Sequence, residues 1–213
     1  MRKMRHFVAS GSLLVLALSA AGCSNGGEQA GGKAAEKSEV IAYQADYPVY
    51  DSLDEVVEKA DLIVKGTVVG STVKELRPEK STDTDPLTNP QAGLSEEEAA
   101  ETDPVVITVS EVKVSEVLAG DAEPGDIVEV SQLGGERGNV TYQEKHTTTL
   151  AKNGTQYVLM LAGHGASAPY DLLNPEQALY TAGERGRIEP VGDGGFENAG
   201  TVRTLKERAA RVK

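Results

Sequence analysis

Short stretches of alternating apolar residues, separated by glycine, proline and asparagine turns, recur along most of this chain. Seven of them are candidate strands, and they cover residues 62–76, 105–118, 125–133, 140–145, 156–161, 178–181 and 187–191. Period-two alternation is typical of β-strands, and the lack of a regular strand–helix–strand order argues against parallel strand pairing. The pattern predicts a mainly β protein in which an antiparallel sheet forms a small, partly closed, OB-like barrel.

The two longest candidate strands contain irregularities that predict local distortion. In residues 105–118 the apolar positions change parity near Ser110, which indicates a β-bulge or a sharp bend. In residues 62–76, Gly66 and Gly70 indicate a bulge or a close approach of another backbone. Strands that bend in this way are the ones that build small barrels.

Three shorter candidates can be placed within the sheet. Residues 156–161 are apolar at both odd and even positions, which predicts a strand buried on both faces. Residues 140–145 alternate weakly, so we expect an edge strand there. Pro190 has no N–H group to donate, and residues 187–191 are therefore also predicted to lie at an edge.

Two capping boxes predict a short helix before the barrel strands and another after them. Ser52 is followed three positions later by Glu55, which predicts a helix that ends near Ala60. Thr204 and Glu207 repeat the pattern and predict the start of a C-terminal helix. The barrel-like domain and the C-terminal tail and helix are then assigned, in order, to residues 47–195 and 196–213.

Residues 1–22 have the anatomy of a secretory signal peptide. A basic start is followed by an apolar stretch that is too short to span a membrane as a helix. Small residues then lead to Gly22 and Cys23, and this run resembles the lipobox of bacterial lipoproteins, with Ala20 where that family favours Leu. The resemblance implies cleavage between Gly22 and Cys23 and attachment of a diacylglyceryl group to the Cys23 thiol.

A lipid on Cys23 defines the expected location of the protein. Fatty acyl chains such as palmitate would hold it at the cell membrane, on the extracytoplasmic face, and the membrane would be its first partner. Residues 23–46 are rich in Gly, Ala, Glu and Lys, which predicts a disordered tether behind the anchor. Removing residues 1–22, which have three basic and no acidic side chains, changes the net charge from -12 to -15. Such a chain is not expected to bind nucleic acid.

Residues 77–104 interrupt the strand pattern. They contain four of the nine prolines, eight acidic residues and two basic ones, so we predict a disordered acidic insertion between two paired strands. Ser95 and Glu98 could cap a single helical turn within it. The run that begins at Asp83 resembles the start of a calcium loop, but Thr88 occupies the position that requires glycine, so no calcium site is expected.

The remaining candidates for chemistry have simpler interpretations. One cysteine excludes an intramolecular disulfide and a cysteine-based zinc site. His146 and His164 lack the spacing of a metal motif and are predicted to be solvated imidazoles. Ser167 lacks the context of a nucleophile elbow, and the glycines of residues 192–195 precede no helix, so both are read as loop residues. We predict no catalytic residues, no metal and no cofactor.

One recurring order of elements extends from about Tyr47 to Val191. The segments ADLIVKGTVV, VSEVLAG and GTQYVLML occur in it, with a Gly-Gly turn before the last. This order resembles that of a group of uncharacterised bacterial extracytoplasmic proteins. The resemblance implies an OB-type or inhibitor-type small barrel, and it implies no activity, because its motifs consist of strands and turns.

These observations lead to one expected function and several alternatives. We expect a lipid-anchored, non-enzymatic binding or interaction module whose partner is an envelope protein or an oligosaccharide. An envelope hydrolase that uses Asp and Glu carboxylates is one alternative, and a protease-inhibitor-like barrel is another. A structural spacer that uses the acidic insertion as a charge brush is a third.

Overall fold

The computed structural model describes residues 39–77, 93, 95, 97–98, 103–165 and 167–212. Within them the strands are β1 (Glu39–Tyr43), β2 (Leu62–Leu76), β3 (Val105–Ala119), β4 (Ile127–Arg137), β5 (Val140–Glu144), β6 (Tyr157–Ala162), β7 (Tyr170–Leu172), β8 (Leu179–Ala182) and β9 (Ile188–Pro190). Helix α1 (Leu53–Lys59) lies between β1 and β2 in sequence, and α2 (Val202–Val212) follows β9. The predicted signal peptide, Cys23 and most of the predicted acidic insertion lie outside the described residues.

Five strands form a closed ring of hydrogen-bonded neighbours. β2, β3 and β4 form an antiparallel meander, and β6 pairs antiparallel with the other side of β2. The three-residue strand β7 closes the ring, because it pairs antiparallel with β6 and parallel with β4. β1 and β5 extend the sheet beyond β4, and β8 and β9 extend it beyond β6. This arrangement confirms the predicted mainly β, small, partly closed OB-like barrel with one helix before it and one after it.

The folded part begins earlier than the sequence indicated. β1 starts at Glu39, within the residues assigned to the tether, and it pairs in parallel with β5, with Glu39 opposite Val140. β5 therefore lies between β1 and β4 and is not an edge strand. The β1–β5 and β4–β7 pairs are both parallel, which the sequence argument disfavoured. Parallel partners lie far apart along the chain, so local patterning does not reveal them.

The predicted distortion of the two long strands is present as three register shifts in the β2–β3 pair. The register of β2 against β3 shifts between Val68 and Gly70, opposite Val112 and Glu111. The inserted residue there is Val69 of β2, next to Gly70, so the bulge predicted at Gly70 is confirmed. The other two shifts leave Ser115 and Leu118 of β3 unpaired, whereas β3 pairs with β4 without a shift around Ser110.

Glycines at two places in the sheet, one in β2 and a pair in β4, explain how the strands curl. A Cβ atom at Gly66 would lie 2.7 Å from the carbonyl oxygen of Lys113, so the close approach predicted there is confirmed. Gly134 and Gly135 have positive φ angles of 100° and 149° and bend β4 instead of ending it. The strand consequently continues to Arg137, beyond its predicted end.

The first predicted capping box forms as expected. The backbone N–H of Glu55 donates to Oγ of Ser52 at 3.2 Å, and the Glu55 carboxylate accepts from the N–H of Asp51 at 3.0 Å. In the insertion, the N–H of Glu98 donates to Oγ of Ser95 at 3.2 Å, and the Glu98 carboxylate accepts from the N–H of Ser95 at 2.9 Å. Hydrogen bonds from the backbone and the side chain of Ser95 lower the pKa of the Glu98 carboxyl.

The second capping box is different from the predicted one. α2 begins at Val202, and the N–H of Thr204 donates to Oγ1 of Thr201 at 3.2 Å. In return the N–H of Thr201 donates to Oγ1 of Thr204 at 2.8 Å. The capping pair is thus Thr201 and Thr204, because a threonine hydroxyl can replace the carboxylate at the third helical position. Glu207 lies farther along, inside the helix.

A single core of aliphatic residues joins the barrel to both helices. The first five residues of β6 are all buried, as their apolar pattern predicted, and Pro190 lies on the edge strand β9. Val56 and Val57 of α1 and Leu205 of α2 belong to the same buried cluster. Among the described residues, no helix has the length and apolar character needed to cross a membrane.

Candidate functional site

An apolar cleft of about 510 Å³ is lined by β3, β4 and the end of β2. Four apolar side chains, those of Leu76, Val105, Ile107 and Leu133, form one wall. The segment 45–50 and residues around β7 form the opposite wall. Ligand sites in proteins typically measure about 300–1,000 Å³ and are mainly apolar, so this cleft has the size and character of a binding site.

Strand pairing explains why the apolar wall is continuous. Leu76 lies opposite Val105 across β2 and β3, and Ile107 lies opposite Leu133 across β3 and β4. Side chains of directly paired residues project from the same face of a sheet, and alternate residues of one strand share a face. The four side chains therefore form one apolar surface across three strands.

The opposite wall is fixed by buried amide groups. Nδ2 of Asn174 donates to the carbonyl oxygen of Pro48 at 2.9 Å. The side chain of Gln177 makes two bonds to Tyr50, accepting from its N–H and donating to its carbonyl oxygen, both at 2.9 Å. Because Asn174 and Gln177 are buried, these bonds hold the segment 45–50 firmly beside the barrel.

Asp171 carries the negative charge of the cleft. One carboxylate oxygen accepts a hydrogen bond from the hydroxyl of Ser131, and the other lies 2.8 Å from Nε2 of His164. Ser131 and Asp171 are direct partners in the parallel β4–β7 pair, which places their side chains together. The side chains of Asp171 and His164 are both about half exposed, so the carboxylate is accessible from solvent.

Tyr47 forms a polar edge on the other wall. Its hydroxyl lies 3.5 Å from Oγ1 of Thr147, which donates to the buried carboxylate of Glu144 at 3.0 Å. Burial raises the pKa of the Tyr47 hydroxyl, the bond to Thr147 lowers it, and the charges of Glu144 and Asp171 raise it further. The hydroxyl is therefore a neutral group in a region of negative potential.

Gln132 fixes the loop that enters the cleft after β5. Its Nε2 donates to the carbonyl oxygen of Thr148 at 2.8 Å, and its Oε1 accepts from the N–H of Leu150 at 2.9 Å. A buried glutamine whose two ends bond to backbone groups is satisfied within the protein. Its role is to position the loop, which includes the cleft residue Thr147.

Of the two histidines considered from the sequence, one lies in the cleft. His164 pairs there with Asp171, whereas His146 lies outside it and pairs with Glu176 at 3.0 Å. Both rings are partly exposed, as predicted, but each has a carboxylate partner. Ser167 lines a separate acidic depression with residues such as Asp121 and is not among the residues that line the cleft. Gly22, Cys23 and Asp83 lie outside the described residues.

Sequence reasoning did not find Ser131 or Asp171. Their proximity depends on β7, a strand of only three residues that no periodic pattern identifies, and on its parallel pairing with β4. In the described part of the chain, no three His, Cys, Asp or Glu side chains are grouped so that they could hold a metal ion. The cleft thus offers an apolar surface with one accessible carboxylate at its edge.

No family model matches this chain, and no curated protein matches it in a sequence comparison.

Proposed function

We propose that this protein is a lipid-anchored, extracytoplasmic binding module that holds its ligand in the apolar cleft and catalyses no reaction. The observation that carries the proposal is the cleft itself, which has a volume of about 510 Å³ and combines an apolar wall with a single accessible carboxylate. OB-type barrels use the face of their second and third strands, with adjoining loops, to bind ligands. Here β3 and β4 occupy those positions and line the cleft.

The binding proposal is favoured over hydrolysis by the composition of the cleft. A hydrolase that works through two carboxylates needs both of them near one bond. Among the described residues that line the cleft, Asp171 is the one carboxylate, and its oxygens are engaged by Ser131 and His164. The hydrolase and the protease-inhibitor-like barrel remain alternative proposals, to be distinguished by the experiments below.

Ligand binding in the cleft can be tested by cross-linking in cells that naturally produce the chain. Intact cells are treated with a membrane-impermeant cross-linker, and the species attached to the full chain are identified by mass spectrometry. Replacing both Leu76 and Val105 by Ser should abolish the main adduct, because it removes half of the apolar wall. Ile127→Ser is the matched control, since Ile127 is 51% exposed, like Leu76 at 50%, but does not line the cleft.

The outcomes separate the candidate functions. The binding cleft is supported if the double variant Leu76→Ser, Val105→Ser loses the main adduct and the control Ile127→Ser retains it. An adduct that is unchanged in both variants contradicts it. If the attached species is an envelope protease that the chain inhibits, the inhibitor-like alternative replaces the simple binding module.

The anchor is tested separately from the cleft. Wild-type chain should incorporate labelled palmitate and fractionate with the membrane, whereas Cys23→Ala should take up no label. Because Cys23 is the one cysteine in the chain, any label retained by Cys23→Ala would contradict thioether lipidation at this position.

A further inference from the structure

The apolar surface continues beyond the cleft. Val49 is 79% exposed and lies between Pro48 and Tyr50, which both line the cleft. Leu76 and Val105, in the apolar wall of the cleft, are 50% and 40% exposed. These three account for half of the large apolar side chains that are exposed among the described residues. An extended chain that crosses the apolar wall would cover Leu76 and Val105 more completely than a compact small molecule inside the cleft.

The charges around the cleft are mainly negative. Asp171 lies in its lining, and of the exposed residues Asp46 and Asp51, the first lies within the segment 45–50 and the second directly follows it. Two basic residues are also present: His164 is already paired with Asp171, and Lys74 lies opposite Ile107 in the β2–β3 pair. The whole chain has a net charge of -12. An occupant with positive charge is therefore complementary to this surface, and an acidic occupant is repelled.

We propose that the cleft receives an extended peptide segment in which apolar side chains lie next to Lys or Arg, with the cation beside Asp171. The inference rests on the proposed function, because it names the kind of ligand that the same cleft would bind. The apolar side chains fill the wall formed by Leu76, Val105, Ile107 and Leu133, and the peptide continues over Val49.

Three fluorescent hexapeptides test the inference against the full chain in detergent, with fluorescence anisotropy as the measurement. The first, Ac-Ala-Lys-Val-Leu-Lys-Ala-NH₂, has the proposed chemistry. The second replaces both lysines by glutamate, and the third replaces them by glutamine. We expect the lysine peptide to bind at least about fivefold more tightly than the glutamate peptide, since each partly exposed ion pair contributes modestly. Its affinity should fall as salt is added.

Two variants assign the charge effect to one residue. Asp171→Asn keeps the shape of the side chain and removes its charge, so the preference for lysine over glutamine should fall by about threefold. Asp121→Asn is the matched control, because it removes one carboxylate charge from the separate depression and leaves the cleft lining unchanged. Thermal melts of both variants should show that the fold is intact.

Each result has a defined meaning. The inference is supported if the lysine peptide binds tightly, if this binding depends on Asp171, and if the double variant Leu76→Ser, Val105→Ser abolishes it. Equal binding of the three peptides, or of wild type and Asp171→Asn, overturns the charge requirement while the cleft remains a peptide site. If no peptide binds although the cleft-dependent adduct persists in cells, the ligand is not a peptide of this kind, and the inference fails without the proposed function. If the adduct also fails, both are overturned.

Discussion

Single residues determine what the cleft presents to a ligand. Both carboxylate oxygens of Asp171 are engaged, one by the Ser131 hydroxyl and the other by the His164 ring, yet the side chain remains about half exposed. The bonds fix the orientation of the carboxylate without removing its charge. Tyr47 and Thr147 provide hydroxyl groups on the facing wall, so the polar groups of the cleft lie at its margins and the apolar wall lies between them.

Tyr180 provides a prediction about pH and stability. Its side chain is fully buried, and this burial raises the pKa of its hydroxyl above the ordinary value of 10.0, although the N–H of Phe196 opposes the shift. In the unfolded chain the hydroxyl ionises near its ordinary pKa, while in the folded chain it stays neutral. Its contribution to stability is thus complete below about pH 10 and is lost as pH rises toward the raised value.

We therefore expect the free energy of unfolding to fall as pH rises above about 10, and to fall less steeply in Tyr180→Phe. Urea denaturation at a series of pH values measures both slopes. Tyr180→Phe also loses the bond from Phe196, so its stability at neutral pH is lower, and the comparison concerns the slope alone. Equal slopes in the two proteins would show that Tyr180 does not contribute to the alkaline loss.

Elements built from local signals could be predicted from the sequence, whereas those that depend on distant partners could not. The capping box of α1, the whole length of β2 and the double-sided burial of β6 follow from nearby residues. β1 and β7 are short, and both are held by parallel pairing with strands remote in sequence. The polar part of the site was missed for the same reason, because Asp171 belongs to β7. His164 was noticed from the sequence, but its partner was not.

The cap of α2 gives a prediction at the level of an element. Thr201→Ala should lower the free energy of unfolding by about 1 kcal/mol, because the N–H of Thr204 loses its acceptor. Thr201→Ser retains the hydroxyl and should recover most of that loss. Urea midpoints at an unchanged denaturant dependence measure the effect. If Ala and Ser are equally destabilising, the hydroxyl is not the cap.

The side-chain hydrogen bonds of Asn174 and Gln177 to the segment 45–50, called the clamp here, give a second prediction at the level of an element. Gln177→Ala leaves the N–H and the carbonyl oxygen of Tyr50 without their partner, which should cost about 2–3 kcal/mol of stability. It should also weaken the cross-linked adduct, since one wall of the cleft is released. Gln143→Ala, at an exposed position in β5, is the control and should change stability by about 0.5 kcal/mol or less. A loss of stability with no effect on the adduct would separate the clamp from binding.

At the scale of the whole molecule, the barrel supplies most of the cleft and the chain before it completes the second wall. The closed ring of five strands positions β3, β4 and β7, and the segment 45–50 lies beside them. The segment 45–50 follows β1 directly, so the strand nearest the proposed tether also leads into the binding wall. In sequence, β1 therefore lies between the proposed anchor at Cys23 and the segment 45–50 of the binding wall.

The most direct test of this account places a photo-reactive group in the cleft. p-Benzoylphenylalanine is introduced at position 76 of the full chain, or at position 127 as the control, and the cells that produce the chain are irradiated. We predict a discrete adduct at position 76, identified by mass spectrometry of the chain, and none of that mass at position 127. The same adducts at both positions, or an adduct at position 127 alone, would contradict the assignment of the cleft as the binding site.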